Sequence, residues 1–238
     1  MSDWAPRRFW EEVSVRPENG GFRVYLDARS LRTPHRSELL APSAGLAEEV
    51  AAEWRAQGER IDPLSMPFTR SLNSAIDKVA PNPGPVADML AAYAETDLLC
   101  YRAEHPDELI ARQAETWDPY LDWAAERYGA RLQPVKGLMP VDQPAEAVAA
   151  VARAVHGLDP YALTAAHDLI TLTGSVILGL SGIEGHAEAD TLWHAARLDE
   201  LWQIERWGED EEAERQAAAR ADAIRHALNF HRVARETD

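Results

Sequence analysis

Pro81-Asn82-Pro83-Gly84-Pro85 divides this chain. Prolines remove backbone donors and fix φ, so such a cluster punctuates regular structure. On its N-terminal side the pattern is that of strands. Phe9 to Val15 and Phe22 to Leu26 are strand-like runs around Arg16-Pro17-Glu18-Asn19-Gly20-Gly21, which predicts a hairpin. Leu26-Asp27-Ala28-Arg29-Ser30-Leu31 predicts a short third strand ending at Pro34. Ser43 is placed to cap a helix to Gln57, with Leu46, Val50 and Trp54 on one face and Gly58 at its end. A proline-broken loop, Ile61 to Pro67, leads to helical periodicity from Phe68 to Val79.

On the C-terminal side the pattern is helical almost throughout. Helices are expected over Val86–Leu99, Asp107–Tyr128, Ala145–His156, Asp159 to about Leu180, Glu188–Trp207 and Glu209–Arg235. Asp118-Pro119 implies a kink or a new helix start, and Asp159-Pro160 a cap followed by proline at the first helical position. Ser175 and Gly179, four apart, permit close approach of another helix. The expected class is therefore α+β. A small β-rich N-terminal domain with one or two helices spans 1–82, and a larger all-helical C-terminal domain spans 83–238.

The bulk properties exclude several function classes. The chain has 238 residues, 46% hydrophobic and 27% charged, which is ample for a buried core and ordinary for a globular protein. Its formal charge of −16 argues against nucleic acid and anionic membrane surfaces as partners, and leaves a basic protein surface or a cationic ligand. The single cysteine, Cys100, supports neither an internal disulfide nor a thiolate metal cage, and reads as a buried, inert thiol in a reducing compartment. The first residues lack the apolar run of a signal peptide, and Leu169–Leu180 falls short of the roughly 20 residues of a membrane span. These features point to a soluble protein of cytoplasm or matrix, without membrane insertion.

Catalytic and metal motifs are not found. Ser181-Gly182-Ile183-Glu184-Gly185 lacks the Gly-Lys-Ser/Thr ending of a phosphate loop, and Glu184 would repel a phosphate. There is no His-Glu-x-x-His pattern, and His226 and His231 lie about 140° apart on a helix. His167-Asp168 forms an acid–base pair only if the fold assembles one. Neither metal nor cofactor is expected. A carboxylate-dependent enzyme acting on a cationic or sugar substrate remains the alternative, because acids are plentiful.

The informative region is Ala195 to Ala213. At about 100° per residue, Leu198, Leu201 and Trp202 share the expected core face. Glu200, Gln203 and Trp207 share the opposite face, with Ala196 and Trp193 nearby. Glu211 joins them only if the helix continues through Gly208, which glycine disfavours. Aromatic and polar anchors on an outward face suit protein binding. Periodicity alone also allows a helix buried on both sides. Between Glu184 and Glu214 eleven acids face only Arg197 and Arg206. That run is either a solvated face or a lure for a basic partner.

These residues resemble the assembly chaperones of the ATP synthase α subunit, the Atp-twelve family of mitochondria and α-proteobacteria. The resemblance rests on Glu200-x-x-Gln203-x-x-x-Trp207-Gly208-x-x-Glu211-x-Ala213. It rests also on Trp54 followed by Ile61-Asp62-Pro63, Met66-Pro67, Thr69 and Asn73-Ser74-Ala75-Ile76-Asp77, and on Tyr93-x-x-x-Asp97-Leu98-Leu99-Cys100-Tyr101-Arg102. Arg8-Phe9-Trp10 and its hairpin fit as well, so the likeness covers nearly the whole chain in order. It implies a non-catalytic protein, a chaperone that holds the free α subunit until the β subunit replaces it, and the chain is expected to act as a monomer without a cofactor. It further implies Glu200 as the key polar contact, with Gln203, Trp207, Glu211 and the neighbouring Trp193 as companions. Trp54, Asn73, Asp77 and Gly208 are then structural or junction residues. The acidic stretch Glu209-Asp210-Glu211-Glu212 departs from the family pattern.

Overall fold

The computed structural model describes residues 7–18, 20–137, 139 and 141–236. The fold is α+β, with a small sheet near the N-terminus and helices through most of the remainder. Two compact units are formed, 1–82 with 229–238, and 83–228.

In the first unit, β1 (Val13–Glu18) and β2 (Gly21–Leu26) pair antiparallel from Val13↔Leu26 to Glu18↔Gly21. The first strand begins four residues later than expected from Phe9, and Pro17 lies inside it at the sheet edge, where its missing N–H is tolerated. The turn is correspondingly shorter. Gly20 has φ +90, and Asn19 lies outside the described residues. A second tight turn at Asp27 (φ +54) leads to β3 (Arg29–Ser30). The Asp27 carboxylate accepts from the Glu11 and Glu12 N–H groups at 3.1 and 2.9 Å. β4 (Leu40–Ala41) pairs with β2 so closely that a Cβ on Gly21 would lie 2.3 Å from the Ala41 carbonyl oxygen.

The sheet carries α1 (Ala44–Arg55), whose Leu46, Val50 and Ala51 are fully buried with Val24, Leu26 and Ala41. Ser43 caps it as expected, accepting from the Leu46 N–H at 3.1 Å. Glu53 of α1 accepts from the Phe68 and Thr69 N–H groups, capping α2 (Pro67–Ser74), which continues as a π-helical turn to Val79.

The second unit begins with α3 (Pro83–Ala91). The expected helix to Leu99 stops there and continues as two 3-10 turns, Ala92–Glu95 and Leu98–Cys100. A two-residue strand β5 (Tyr101–Arg102) pairs parallel with β6 (Val135–Lys136). Between them α4 (Asp107–Tyr128) runs unbroken, with Pro119 inside it. α5 (Ala145–His156) follows as expected. The single helix expected from Asp159 to Leu180 is two: α6 (Pro160–Thr173) ends at Gly174 (φ +70), and α7 (Val176–Ile183) starts under a new cap, Ser175. The close approach foreseen at Gly179 is therefore between these two helices. A Cβ there would lie 2.4 Å from Ile170 Cγ1. The stretch expected as one helix from Glu188 is likewise two, α8 (Ala189–Ala196) and α9 (Leu198–Trp207). α10 (Glu211–Arg235) closes the chain, its residues from Asn229 grouping with the first unit.

Candidate partner-binding face

The break between α8 and α9 falls at Arg197 (φ −99, ψ 10), a buried guanidinium. It lies over the Trp193 ring at 5.3 Å, and its Nε donates to Glu200 Oε2 at 2.9 Å. Glu214 of α10 approaches it at 3.6 Å. Glu200 thus has two sides: one carboxylate oxygen neutralises a buried arginine, while 58% of the side chain stays open to water. A buried arginine without an acceptor would be costly, so this pair organises the junction of α8, α9 and α10.

Gln203 and Trp207 follow Glu200 on the exposed side of α9. Trp207 is 78% exposed, an unusual position for the largest apolar side chain. Trp193 is half-buried and belongs to α8, beneath Arg197. Gly208 stops α9 at φ +91 and ψ 172, backbone territory that is essentially glycine-only. Glu211 consequently opens a separate helix and does not extend the α9 face. Asp210 caps that helix, accepting from the Glu212 and Ala213 N–H groups at 2.8 and 3.1 Å.

The other side of α9 locks onto α4. Arg112 donates to both carboxylate oxygens of Glu205 at 2.8 and 2.9 Å, and Gln113 Nε2 donates to Asp199 at 2.7 Å. Just above, the Trp117 indole N–H reaches the Ala195 carbonyl at 2.8 Å. Of the expected core face, Leu198 is buried, but Leu201 and Trp202 are only half-buried. Trp202 is instead flanked by guanidinium groups, Arg206 at 4.3 Å and Arg112 at 5.3 Å. A groove of about 430 Å³ results, with Pro106 and Leu109 on one wall and Trp202, Gln203, Arg206 and Trp207 on the other. The α4 side of this site was not visible in the sequence. Arg112 and Glu205 are 93 positions apart, and no local pattern links them.

The residues expected to be structural lie in the first unit, Gly208 excepted. Trp54 is half-buried, edge-on to Trp10 at 5.1 Å. Asn73 is half-buried on α2. Asp77 accepts from Thr33 Oγ1 at 2.7 Å and from the His35 N–H at 3.1 Å, both within that unit. Cys100 is buried, and burial together with the nearby Asp97 charge pushes its thiol up to about 12. His167 and Asp168 meet at 3.0 Å on the surface, each 44% exposed. Among the described residues no group of three His, Cys, Asp or Glu is placed to hold a metal, and no helix is long and apolar enough to cross a membrane.

Comparison with known proteins identifies this architecture. Atp12 from Paracoccus denitrificans, known from a crystal structure, is 50% identical, with a TM-score of 0.93 over 96% of this chain and 98% of that one. The mitochondrial protein atp12 of Schizosaccharomyces pombe is 24% identical across 87% of this chain and 75% of its own length. The mitochondrial protein ATP12 of Saccharomyces cerevisiae is also 24% identical, across 87% of this chain and 77% of its own. The model of the ATP12 chaperone protein family matches residues 7–125, half of the chain. The chain belongs to the ATP12 chaperone family.

Proposed function

We propose that this chain is an assembly chaperone that binds the free α subunit of the F-type ATP synthase head and shields it until the β subunit takes its place. Family membership supports a chaperone of ATP synthase assembly. The specific partner follows from the resemblance together with the face on α9. A ring subunit exposes an apolar, charged interface before its neighbour arrives, and a temporary partner must cover that interface and then yield it. The observation that carries the reading is Trp207, 78% exposed at the end of a helix that also presents Glu200 and Gln203. Burial of an exposed tryptophan is a strong source of binding energy. The reading assigns the chain no catalytic chemistry and no cofactor. It places a monomer in the bacterial cytoplasm or, for the two yeast relatives, in the mitochondria named in their descriptions.

The test is co-expression with tagged α subunit and, separately, tagged β subunit. Capture of α alone, displaced when β is added, is expected. Trp207→Ala should weaken capture at least tenfold without changing the melting temperature, because the ring is mostly in water. Glu200→Lys should also abolish capture, but it places a cation beside Arg197, so its melt must be recorded alongside. Failure of the wild-type chain to capture soluble α would overturn the assignment.

A further inference from the structure

We propose that the groove between α4 and α9 receives one bulky apolar side chain of the partner, carried on a short segment with a Lys or Arg beside it. This rests on the α-subunit reading and specifies what the site recognises. At about 430 Å³ the groove lies toward the small end of ligand pockets, which span about 300–1,000 Å³, and suits a side-chain anchor. Pro106, Leu109, Trp202 and Trp207 supply apolar walls. Of the charged lining residues, Asp199 already accepts from Gln113, and Arg206 lies over the Trp202 ring while staying open to water, so an apolar group can enter without taking either charge from its partner. The walls are also held in place before anything binds. Arg112 ties α4 to Glu205, and two guanidinium groups fix the Trp202 ring. A preorganised pocket loses little conformational freedom on binding.

Charge selects the occupant. From residue 198 to residue 214 the only base is Arg206, and it lies against Trp202. Glu200, Glu209 and Glu211 are exposed on α9 and just beyond it. This excess of acid on and just after α9 favours a cation next to the anchor. It disfavours a second copy of this chain, since each copy carries a formal charge of −16.

An array of overlapping peptides from the α and β subunits, probed with the full-length chain at low salt, tests this. Bound peptides should share an apolar residue adjacent to Lys or Arg. For the best of them, replacing the apolar residue by Ser should weaken binding at least tenfold. Trp207→Ala and Leu109→Arg should each do the same, the first at an exposed position where folding is not at stake. Binding of no peptide, or binding indifferent to both substitutions, overturns the proposal. If intact α is still captured by both variants as well as by wild type, the groove is ruled out and the chaperone reading stands. If groove-dependent peptides bind but intact α is never captured, the groove stands and the α-subunit reading falls.

Discussion

At the scale of single residues, Asp97 is the side chain on which the helical unit most visibly turns. It is wholly buried, yet it accepts from the Leu99 N–H at 3.0 Å, Ser175 Oγ at 3.0 Å and the Ile177 N–H at 3.2 Å. One carboxylate thereby caps a 3-10 turn and pins the start of α7. Asp97→Ala strands these donors in the interior and should cost on the order of 3 kcal/mol or more, read as a lower urea midpoint. Burial pushes the Asp97 carboxyl up from 3.8 to about 6, against the opposing pull of its hydrogen bonds. A raised acid pKa means that the unfolded chain gives up this proton first. Asp97 therefore lowers stability as pH rises from about 4 to about 6, by about 3 kcal/mol in total, and contributes no slope above that. Urea melts of wild type and Asp97→Asn at intervals from pH 4 to pH 7 isolate this contribution. Parallel pH profiles would refute it. Glu200 teaches a related lesson: periodicity set it opposite Leu198 but left open whether that face was buried, and its bond to Arg197 was not readable, because a buried arginine beside a helix break carries no mark in the sequence.

Among the helices, the α6–α7 pair is closely packed. A Cβ on Gly179 would sit 2.4 Å from Ile170 Cγ1, which is bonded to the branched Cβ and so held near its own backbone. On Gly182 it would meet Leu192 Cδ1 at 2.8 Å and Leu228 Cδ2 at 3.0 Å, the free ends of flexible side chains. Gly179→Ala should therefore cost about 1–3 kcal/mol, and Gly182→Ala measurably less. Thermal melts of the two variants check the order, and the reverse order would contradict the packing. The elements themselves were largely legible. Ser43, Asp159-Pro160 and Gly208 announced their helix ends because caps and stops are local chemistry. The split at Gly174 was missed because the residues on both sides are apolar and buried, leaving a continuous hydrophobic run with no change of period. The split at Arg197 was missed for a similar reason, since one turn of altered backbone barely shifts a helical pattern. Pro119 misled in the opposite direction: α4 passes through it unbroken.

For the molecule as a whole, charge was the most legible property, while the grouping of residues 229–236 with the sheet was not, because α10 keeps one helical pattern across that point. A formal charge of −16, with an exposed acidic run from Glu209 to Glu212, gives a long-range attraction for a basic partner surface. Such attraction acts before contact, so it governs encounter more than residence. In the complex proposed above, Trp207 on α9 would act only after contact and so would govern residence. The two should separate in kinetics. Association with the α subunit should slow several-fold as salt rises from about 50 to about 500 mM, where the screening length shrinks from over 10 Å to about 4 Å, while dissociation changes little. Reversing Glu209 and Glu212 to Lys should slow association in the same way and flatten its salt dependence. Trp207→Ala should leave association nearly unchanged and speed dissociation. Surface-binding kinetics with immobilised α subunit resolve both rates. An association rate indifferent to salt would remove the electrostatic lure from the account and leave the acidic run as a solvated face.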